Sequence, residues 1–276
     1  MTSWKLPMGK RVAFWLQIVL AAALFSPRIC AQSSGPQASA KSQPSKAQAT
    51  PDFSGIWLRP RGSKYIDSAR RFEAQKPAMT PWAQAKFDST RDIYAEASPE
   101  AVVQRLAGGD PTYSCFPPGV PGIYFRVTGD ARPMEIINTR GRILEFFEYD
   151  HYVRQIWTDG RQHTPDLPAT WMGESIGKWE GDTLVVDSIG FNDKTVLDNV
   201  GHPHSDQLHV VERIRRLDNN TLEVNLTVED PKAYTKPWSG QIIFVRAPAD
   251  WTIMEDICED NANFIDFIKK ANSSSK

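Results

Sequence analysis

Two histidines stand two residues apart in the stretch "DNVGHPHSD", residues 198–206, with Pro203 between them. A residue that precedes proline is pushed into extended geometry, and extended residues at i and i+2 project to the same side. His202 and His204 are therefore expected to present their imidazoles together from a loop. Such rings can do acid–base chemistry when a carboxylate such as Asp198 orients them. We take these two histidines and Asp198 as candidate catalytic residues.

The same pair also suggests an alternative metal site. His202 and His204 are two of the donors that zinc or another divalent metal ion requires. Two donors rarely hold a metal ion, and no third donor is clear from the sequence. The candidates for it are Asp198, Asp206, His163 and Glu174. We therefore predict no cofactor and keep metal-dependent hydrolysis at these residues as the alternative. In a further interpretation, the imidazoles and aspartates only hold a long loop in place.

Two more loops carry polar and aromatic residues in clusters. The first is "DGRQHTPDLPATWMGESIGKW", residues 159–179, and the second is "EDPKAYTKPWSG", residues 229–240. Aromatic rings near polar groups can line the mouth of a pocket for an apolar or ring-shaped ligand, although they also occur as rim packing. The candidates from these loops are His163 for catalysis and Trp171, Glu174, Tyr234 and Trp238 for ligand contact.

The elements that must position these loops are mostly strands. Alternating apolar residues and turn signals predict a strand near 53–58 and nine later ones, at 133–138, 142–149, 151–158, 174–180, 182–189, 208–217, 221–229, 239–247 and 251–258. Short connections favour antiparallel neighbours. The chain is therefore predicted to be mainly β, an antiparallel meander that closes into a lipocalin-like barrel of about 8–10 strands. The interior of such a barrel can hold one small ligand.

One carboxylate is predicted to point into this barrel. In "LHVVERIRRL", residues 208–217, alternation places Glu212 on the same face as Val210 and Ile214. An inward acid must be paired, hydrogen-bonded or protonated. Glu212 is therefore either a catalytic acid or base or a ligand contact, or it is one half of a buried ion pair with an arginine such as Arg154.

Helical signals are few. Thr80 and Pro81 form an N-cap and first helical residue, and Ser98 and Pro99 repeat this pattern before a helix that should end near Gly108. Apolar spacing in "DNANFIDFIKKA", residues 260–271, predicts a C-terminal helix. These helices are expected to lie outside the barrel.

The N-terminus has the layout of a secretory signal peptide, residues 1–31, with basic residues before an apolar run. Residues 32–50 lack large apolar side chains and read as a flexible linker, which leaves 51–276 as a single β-rich domain. Export would place the protein in the periplasm or outside the cell. Cys115 and Cys258 would then be the only cysteines left, and a disulfide between them is predicted, with two buried free thiols as the alternative.

Charge and hydropathy exclude several classes of partner. The chain has 32 basic and 33 acidic residues, and loss of Lys5, Lys10, Arg11 and Arg28 with the signal peptide leaves 28 against 33. No basic run of the kind that binds nucleic acid is present. No later stretch is apolar enough to span a membrane. Motifs for nucleotide, haem or calcium binding are also absent. The expected partner is a small organic ligand, and the sequence leaves the oligomeric state open.

Two resemblances add to this interpretation. The runs "PTYSCFPPGVP", "GFNDKTVLDNVGHPHSDQLHVVERIRR" and "EDPKAYTKPWSG" resemble a family of secreted proteins from soil and marine bacteria, which implies export and a β-rich fold but no reaction. The tripeptide Gly55-Ile56-Trp57 resembles the first strand of lipocalin-like (calycin) barrels, in which the tryptophan closes the barrel floor. This second likeness concerns the fold alone.

Three hypotheses for function follow. The first is a secreted barrel that binds a small organic ligand, with cofactor-free acid–base chemistry, hydrolysis or isomerisation, if it is an enzyme. The second is the metal-dependent hydrolase described above. The third is a non-enzymatic envelope or interaction protein whose polar motifs brace loops.

Overall fold

The structure is a computed structural model that describes residues 50–59, 66–95, 111–126 and 132–258. The predicted signal peptide, almost all of the predicted linker, the predicted helix that begins at Ser98 and the predicted C-terminal helix lie outside the described residues. Within these ranges the chain is mainly β, and its nine strands form one closed barrel.

The strands follow one another around the barrel in chain order. They are β1 (Gly55–Leu58), β2 (Met134–Thr139), β3 (Arg142–Phe147), β4 (Val153–Trp157), β5 (Glu174–Glu180), β6 (Thr183–Ile189), β7 (His209–Asp218), β8 (Thr221–Glu229) and β9 (Trp238–Arg246). Closure comes from antiparallel pairing of β1 with β9, in which Trp57 faces Arg246 and Leu58 faces Val245. The predicted barrel is therefore confirmed.

Alternation along the strands fills the interior, as the pattern in β8 illustrates. Leu222, Val224, Leu226 and Val228 are all buried in the core. Trp57 of β1 is fully buried, donates its indole N–H to the carbonyl of Phe53 at 2.9 Å, and carries the guanidinium of Arg246 over its ring. Since successive side chains of a strand point to opposite faces, one apolar residue in two is enough to build this core.

One neighbouring pair departs from the predicted antiparallel pattern. Strands β4 and β5 are parallel, with Ile156 opposite Ser175 and Trp157 opposite Ile176. A parallel pair requires a long crossover, and segment 158–173 supplies one. Antiparallel pairing was predicted because short links were assumed, but the connection between β4 and β5 is long.

The predicted strand at 251–258 was wrong. Among the described residues, its only ladder contact is an isolated parallel bridge between Asp256 and Tyr149. The chain turns after β9, where the N–H of Trp251 bonds to the carbonyl of Pro248 at 3.0 Å. Because β9 already pairs with β8 and β1, it has no free edge for another strand.

Three short α-helices and one 3-10 helix accompany the barrel in the described ranges. They are α1 (Ile66–Glu73), α2 (Pro81–Ala95), α3 (Gly122–Arg126) and the 3-10 helix Pro111–Ser114. The predicted cap of α2 is confirmed, since Thr80 Oγ1 accepts the N–H of Ala83 at 3.3 Å. Helices α1 and α3 were not predicted. No helix among the described residues has the length and apolar character needed to cross a membrane.

Helix α1 packs on β9 at a glycine. The ring of Phe72 lies so close to Gly240 that a Cβ at this position would collide with it. Glycine therefore allows the helix to approach the strand closely, and it brings Phe72 against Trp238 at the beginning of β9.

The predicted disulfide between Cys115 and Cys258 is present, and the free-thiol alternative was wrong. It joins the turn after the 3-10 helix to the segment that follows the barrel. Cys258 does not lie in a last strand, as the sequence had suggested, because that strand does not form.

Candidate functional site

Asp198 and His202 form a buried pair in the loop between β6 and β7. The carboxylate Oδ2 lies 2.5 Å from His202 Nδ1. The other oxygen, Oδ1, accepts backbone N–H groups from Val200, Gly201 and His202 at 3.1–3.2 Å. Because the carboxylate accepts a hydrogen bond from Nδ1–H, it orients the imidazole ring. The other ring nitrogen, Nε2, is left for a different contact. One aspartate thus fixes both the loop and the imidazole.

The imidazole of His202 lies between two aromatic rings. It stacks on Phe87 of α2 at a centroid distance of 5.4 Å and meets Trp238 edge-on at 5.2 Å. His202 Nε2 has no hydrogen-bond partner among the described residues. Trp238 Nε1 is buried and is also without a partner there. Two neighbouring rings therefore each have one unused nitrogen.

More aromatic rings continue from Trp238. Phe72 stacks on Trp238 at 4.4 Å and on Phe125 at 4.8 Å, and Tyr234 lies 5.5 Å from Trp238. Phe72 comes from α1, Phe125 from α3, Tyr234 from the loop before β9 and Trp238 from the beginning of β9. We call the following group the aromatic cluster: Phe72, Phe87, Phe125, His202, Tyr234 and Trp238.

Glu73 and Asn199 lie beside this cluster. Asn199 Nδ2 donates to Glu73 Oε1 at 2.8 Å and to the carbonyl of Phe125 at 2.9 Å. Burial raises the pKa of Glu73, and the nearby charge of Asp198 adds to this effect. Sequence reasoning missed Glu73 and Phe72 because α1 was not predicted. Phe87 stood in a predicted helix, but nothing in the pattern indicated which loop it would face.

His204 has a different environment from its neighbour. Its Nδ1–H donates to the carbonyl of Ser205 at 3.0 Å, and its Nε2 accepts from Thr195 Oγ1 at 2.8 Å. Burial lowers the pKa of His204 to about 4, and Lys86 lowers it further. The ring is therefore neutral near pH 7, and both of its nitrogens are bonded. Although His202 and His204 are both buried, they share no hydrogen-bond partner among the described residues.

Asp230 holds the same loop from the side of β8. It accepts the backbone N–H and the Oγ–H of Ser205 at 2.6 and 2.8 Å. It also accepts the N–H of Ala233 at 3.0 Å. Tyr234 donates its hydroxyl to the carbonyl of Pro203 at 2.7 Å. Tyr234 therefore contributes its ring to the aromatic cluster, while its hydroxyl bonds to the loop.

Glu212 is fully buried on the inner face of β7, and its partner is Arg154 of β4. Arg154 Nη1 donates to Glu212 Oε1 at 3.0 Å, and Nη2 donates to Glu212 Oε2. The buried ion pair that the sequence offered as an alternative is therefore present. Both carboxylate oxygens of Glu212 therefore accept from Arg154. This pairing gives Glu212 a structural role and does not support the catalytic interpretation.

A wider network surrounds this ion pair. Glu145 accepts from Arg154 at 3.1 Å and from the hydroxyl of Tyr124 at 2.8 Å. Arg154 also donates to Ser175 and Ser188, each at 3.1 Å. Burial raises the pKa of Glu145 while Arg154 opposes the rise. We call these six residues the interior network: Tyr124, Glu145, Arg154, Ser175, Ser188 and Glu212.

His163 and Glu174 lie on the outer face of the barrel. His163 Nδ1 is 2.9 Å from Glu174 Oε2, and its Nε2 is 3.0 Å from Asp187 Oδ1. The structure therefore brings these two candidates together, but their partners are not those of His202.

Trp171 belongs to a third region. It stacks on Phe116 at 4.7 Å, and Lys194 Nζ lies 5.5 Å from its ring centre. Phe116 is 47% exposed, so this pair forms a surface patch.

The alternative of a metal at His202 and His204 receives no support from the side-chain positions. In the part of the chain that the structure describes, no group of three or more His, Cys, Asp or Glu side chains has its donor atoms placed to hold a metal ion. At His204, a metal ion would have to displace an existing hydrogen bond.

Comparison of the chain with family models, curated proteins and solved structures finds no match.

Proposed function

We propose that this protein is an exported barrel that binds a small organic ligand at the aromatic cluster. The observation that carries this proposal is the pair of unused ring nitrogens, His202 Nε2 and Trp238 Nε1. Buried polar groups are nearly always hydrogen-bonded, and an unsatisfied one costs about 1–3 kcal/mol. A ligand that accepts the N–H of the buried Trp238 Nε1 would recover part of this cost, and the same ligand could also bond to His202 Nε2.

The chemistry of the site suggests the kind of ligand. Trp238 Nε1 can only donate, while His202 Nε2 accepts when Nδ1 carries the proton that Asp198 holds. A hydroxyl group can accept from the first and donate to the second. The surrounding rings of Phe72, Phe87 and Trp238 favour a flat, apolar body. We infer a hydroxylated aromatic or alicyclic compound.

The proposal includes export of the protein from the cytoplasm. The signal-like residues 1–31 are its main support, and the disulfide between Cys115 and Cys258 is compatible with an oxidising compartment. The resemblance to secreted bacterial proteins points the same way.

A second candidate function is cofactor-free acid–base catalysis at the same place. It is favoured by the Asp198–His202 pair, because an imidazole oriented by a carboxylate is a common general base. His202 Nε2 would take the proton of the bound hydroxyl, and Asp198 would stabilise the imidazolium. If a bound compound is turned over, Asp198→Asn should lower kcat by about 10²- to 10⁴-fold.

The experiment is a ligand screen of hydroxylated aromatic and alicyclic compounds by saturation-transfer NMR, with affinities from calorimetry. We expect hits whose Kd rises about tenfold in His202→Gln and in Trp238→Phe, the loss of about one hydrogen bond. Trp82→Phe, which changes an indole at the surface, is the matched control and should leave Kd unchanged. Hits that bind equally well to all three variants would place the ligand elsewhere.

A further inference from the structure

A row of five titratable residues crosses the outer face of the barrel from β5 to β8. His163 lies between Glu174 and Asp187, at 2.9 and 3.0 Å. His209 lies between Asp187 and Glu229, at 3.2 Å to each. Asp187 Oδ1 is shared by both imidazoles. We call this row the outer ladder.

Each imidazole of the outer ladder faces a carboxylate oxygen at both ring nitrogens. A neutral imidazole has one N–H donor and one lone pair, whereas a carboxylate only accepts. Both contacts can therefore be hydrogen bonds only when the ring is protonated. In a neutral ring, one nitrogen lone pair would face a carboxylate lone pair. The geometry of His163 and His209 is thus that of two imidazolium ions.

The net charge of the outer ladder also favours protonated rings. With neutral rings the five residues carry three negative charges, and with both rings protonated they carry one. The other groups near Glu174 are Thr164, whose N–H and hydroxyl donate to it at 2.8 and 2.7 Å, and the cation of Arg161. Although burial acts to raise the pKa of Glu174, the bonds from Thr164 and His163 outweigh it, and the pKa is lowered. Glu174 therefore remains a carboxylate over the range in which histidines titrate.

The outer ladder joins the crossover segment to the barrel wall. His163 and Thr164 belong to segment 158–173, while Asp187 and His209 belong to β6 and β7. The other end of the segment is held by backbone bonds, from Thr170 N–H to Gly190 O at 2.9 Å and from Asn192 N–H to Thr170 O at 2.7 Å. The half of the segment around His163 is held by the bonds from Thr164 to Glu174 and by the contacts of His163, and only the contacts of His163 can change with protonation.

We infer that the outer ladder is a pH-sensitive clasp, which holds the His163 half of segment 158–173 against the barrel when both imidazoles are protonated and releases it when they are neutral. The closed form binds more protons than the open form. Closing is therefore favoured as pH falls.

The test is amide hydrogen exchange of residues 161–166 at pH 5.5 and pH 8.0, corrected for the intrinsic exchange rate at each pH. The Thr164 N–H reports closing directly, because it donates to Glu174. We expect protection about three- to tenfold higher at pH 5.5, the size that one or two half-exposed charge pairs provide. The same samples should show both ring nitrogens of His163 and His209 protonated at pH 5.5 in ¹⁵N NMR spectra.

Two variants and one control complete the test. Asp187→Asn should reduce the pH effect, and the double variant His163→Gln, His209→Gln should abolish it. Glu180→Gln removes a carboxylate from another exposed pair, with Arg213, and should leave the pH effect unchanged. Equal protection at both pH values in the unmodified protein, or an unchanged pH effect in the double variant, would overturn the clasp.

Discussion

The interior network and the aromatic cluster both bury polar side chains, and the difference lies in how completely those side chains are bonded. Inside the barrel, all three nitrogens of the Arg154 guanidinium donate, and both carboxylates accept from it. In the aromatic cluster, His202 and Trp238 each keep a nitrogen without a partner among the described residues. A satisfied network specifies structure, whereas unused donors and acceptors leave capacity for a ligand.

The same contrast separates two histidines that stand two residues apart. His204 uses both ring nitrogens within the protein, and His202 uses one. Residue type and spacing therefore do not distinguish a bracing histidine from one that can meet a ligand. Four predictions test this division.

The largest effect is expected inside the barrel. Arg154→Met would leave Glu145 and Glu212 as buried carboxylates without their cation, and should lower the free energy of unfolding by about 3–5 kcal/mol. Urea denaturation followed by circular dichroism measures it. Arg213→Met, at an exposed ion pair, is the matched control and should cost less than about 1 kcal/mol. Equal costs for the two variants would show that the interior network does not depend on its charge.

The second prediction concerns pH and His204. Because its pKa is about 4 in the folded protein, the unfolded chain binds more protons at pH values between 4 and 6.5. This contribution to stability is complete above pH 6.5 and is lost as pH falls towards 4. The loss should amount to about 3 kcal/mol. Urea denaturation at a series of pH values tests it, and His204→Gln should flatten this part of the curve.

The third prediction is that His204 acts on stability and not on the ligand. His204→Ala removes two buried hydrogen bonds and leaves Thr195 without its partner, so unfolding should become easier by about 2 kcal/mol. Ligand affinity of the folded variant, measured by calorimetry, should stay within about twofold. A loss of affinity as large as that of His202→Gln would erase the distinction between the two histidines.

The smallest stability effect is expected at Trp238. Trp238→Phe deletes an N–H that has no partner, so the lost packing is partly offset by relief of an unsatisfied donor. The free energy of unfolding should change by less than about 1 kcal/mol, while ligand affinity falls about tenfold. Phe72→Leu serves as the comparison, since it disturbs the stacking on Trp238 without touching a polar atom. A loss of stability in Trp238→Phe well above that in Phe72→Leu would mean that the indole N–H is used in the fold.

Several features of this protein could be predicted from the sequence alone because they depend on local patterns. Alternation in residues 221–229 determines which side chains enter the core, and the same rule places Glu212 inside. Thr80 before Pro81 marks the beginning of α2, and two cysteines in a chain with a signal-like N-terminus predict their disulfide. Each of these inferences needs only a short stretch of chain, or a count, together with one geometric rule.

Only the tertiary structure decided which strands pair in parallel, where the barrel closes and which residues surround each histidine. The pairing of β1 with β9 removed the edge that a strand at 251–258 would have needed, and segment 158–173 allowed β4 and β5 to run parallel. His202 and His204 have different environments because Asp198, Phe87 and Trp238 contact His202, whereas Thr195 bonds to His204. These choices depend on register and loop packing between residues far apart in the chain. A pattern of period two or 3.6 carries no information about such partners.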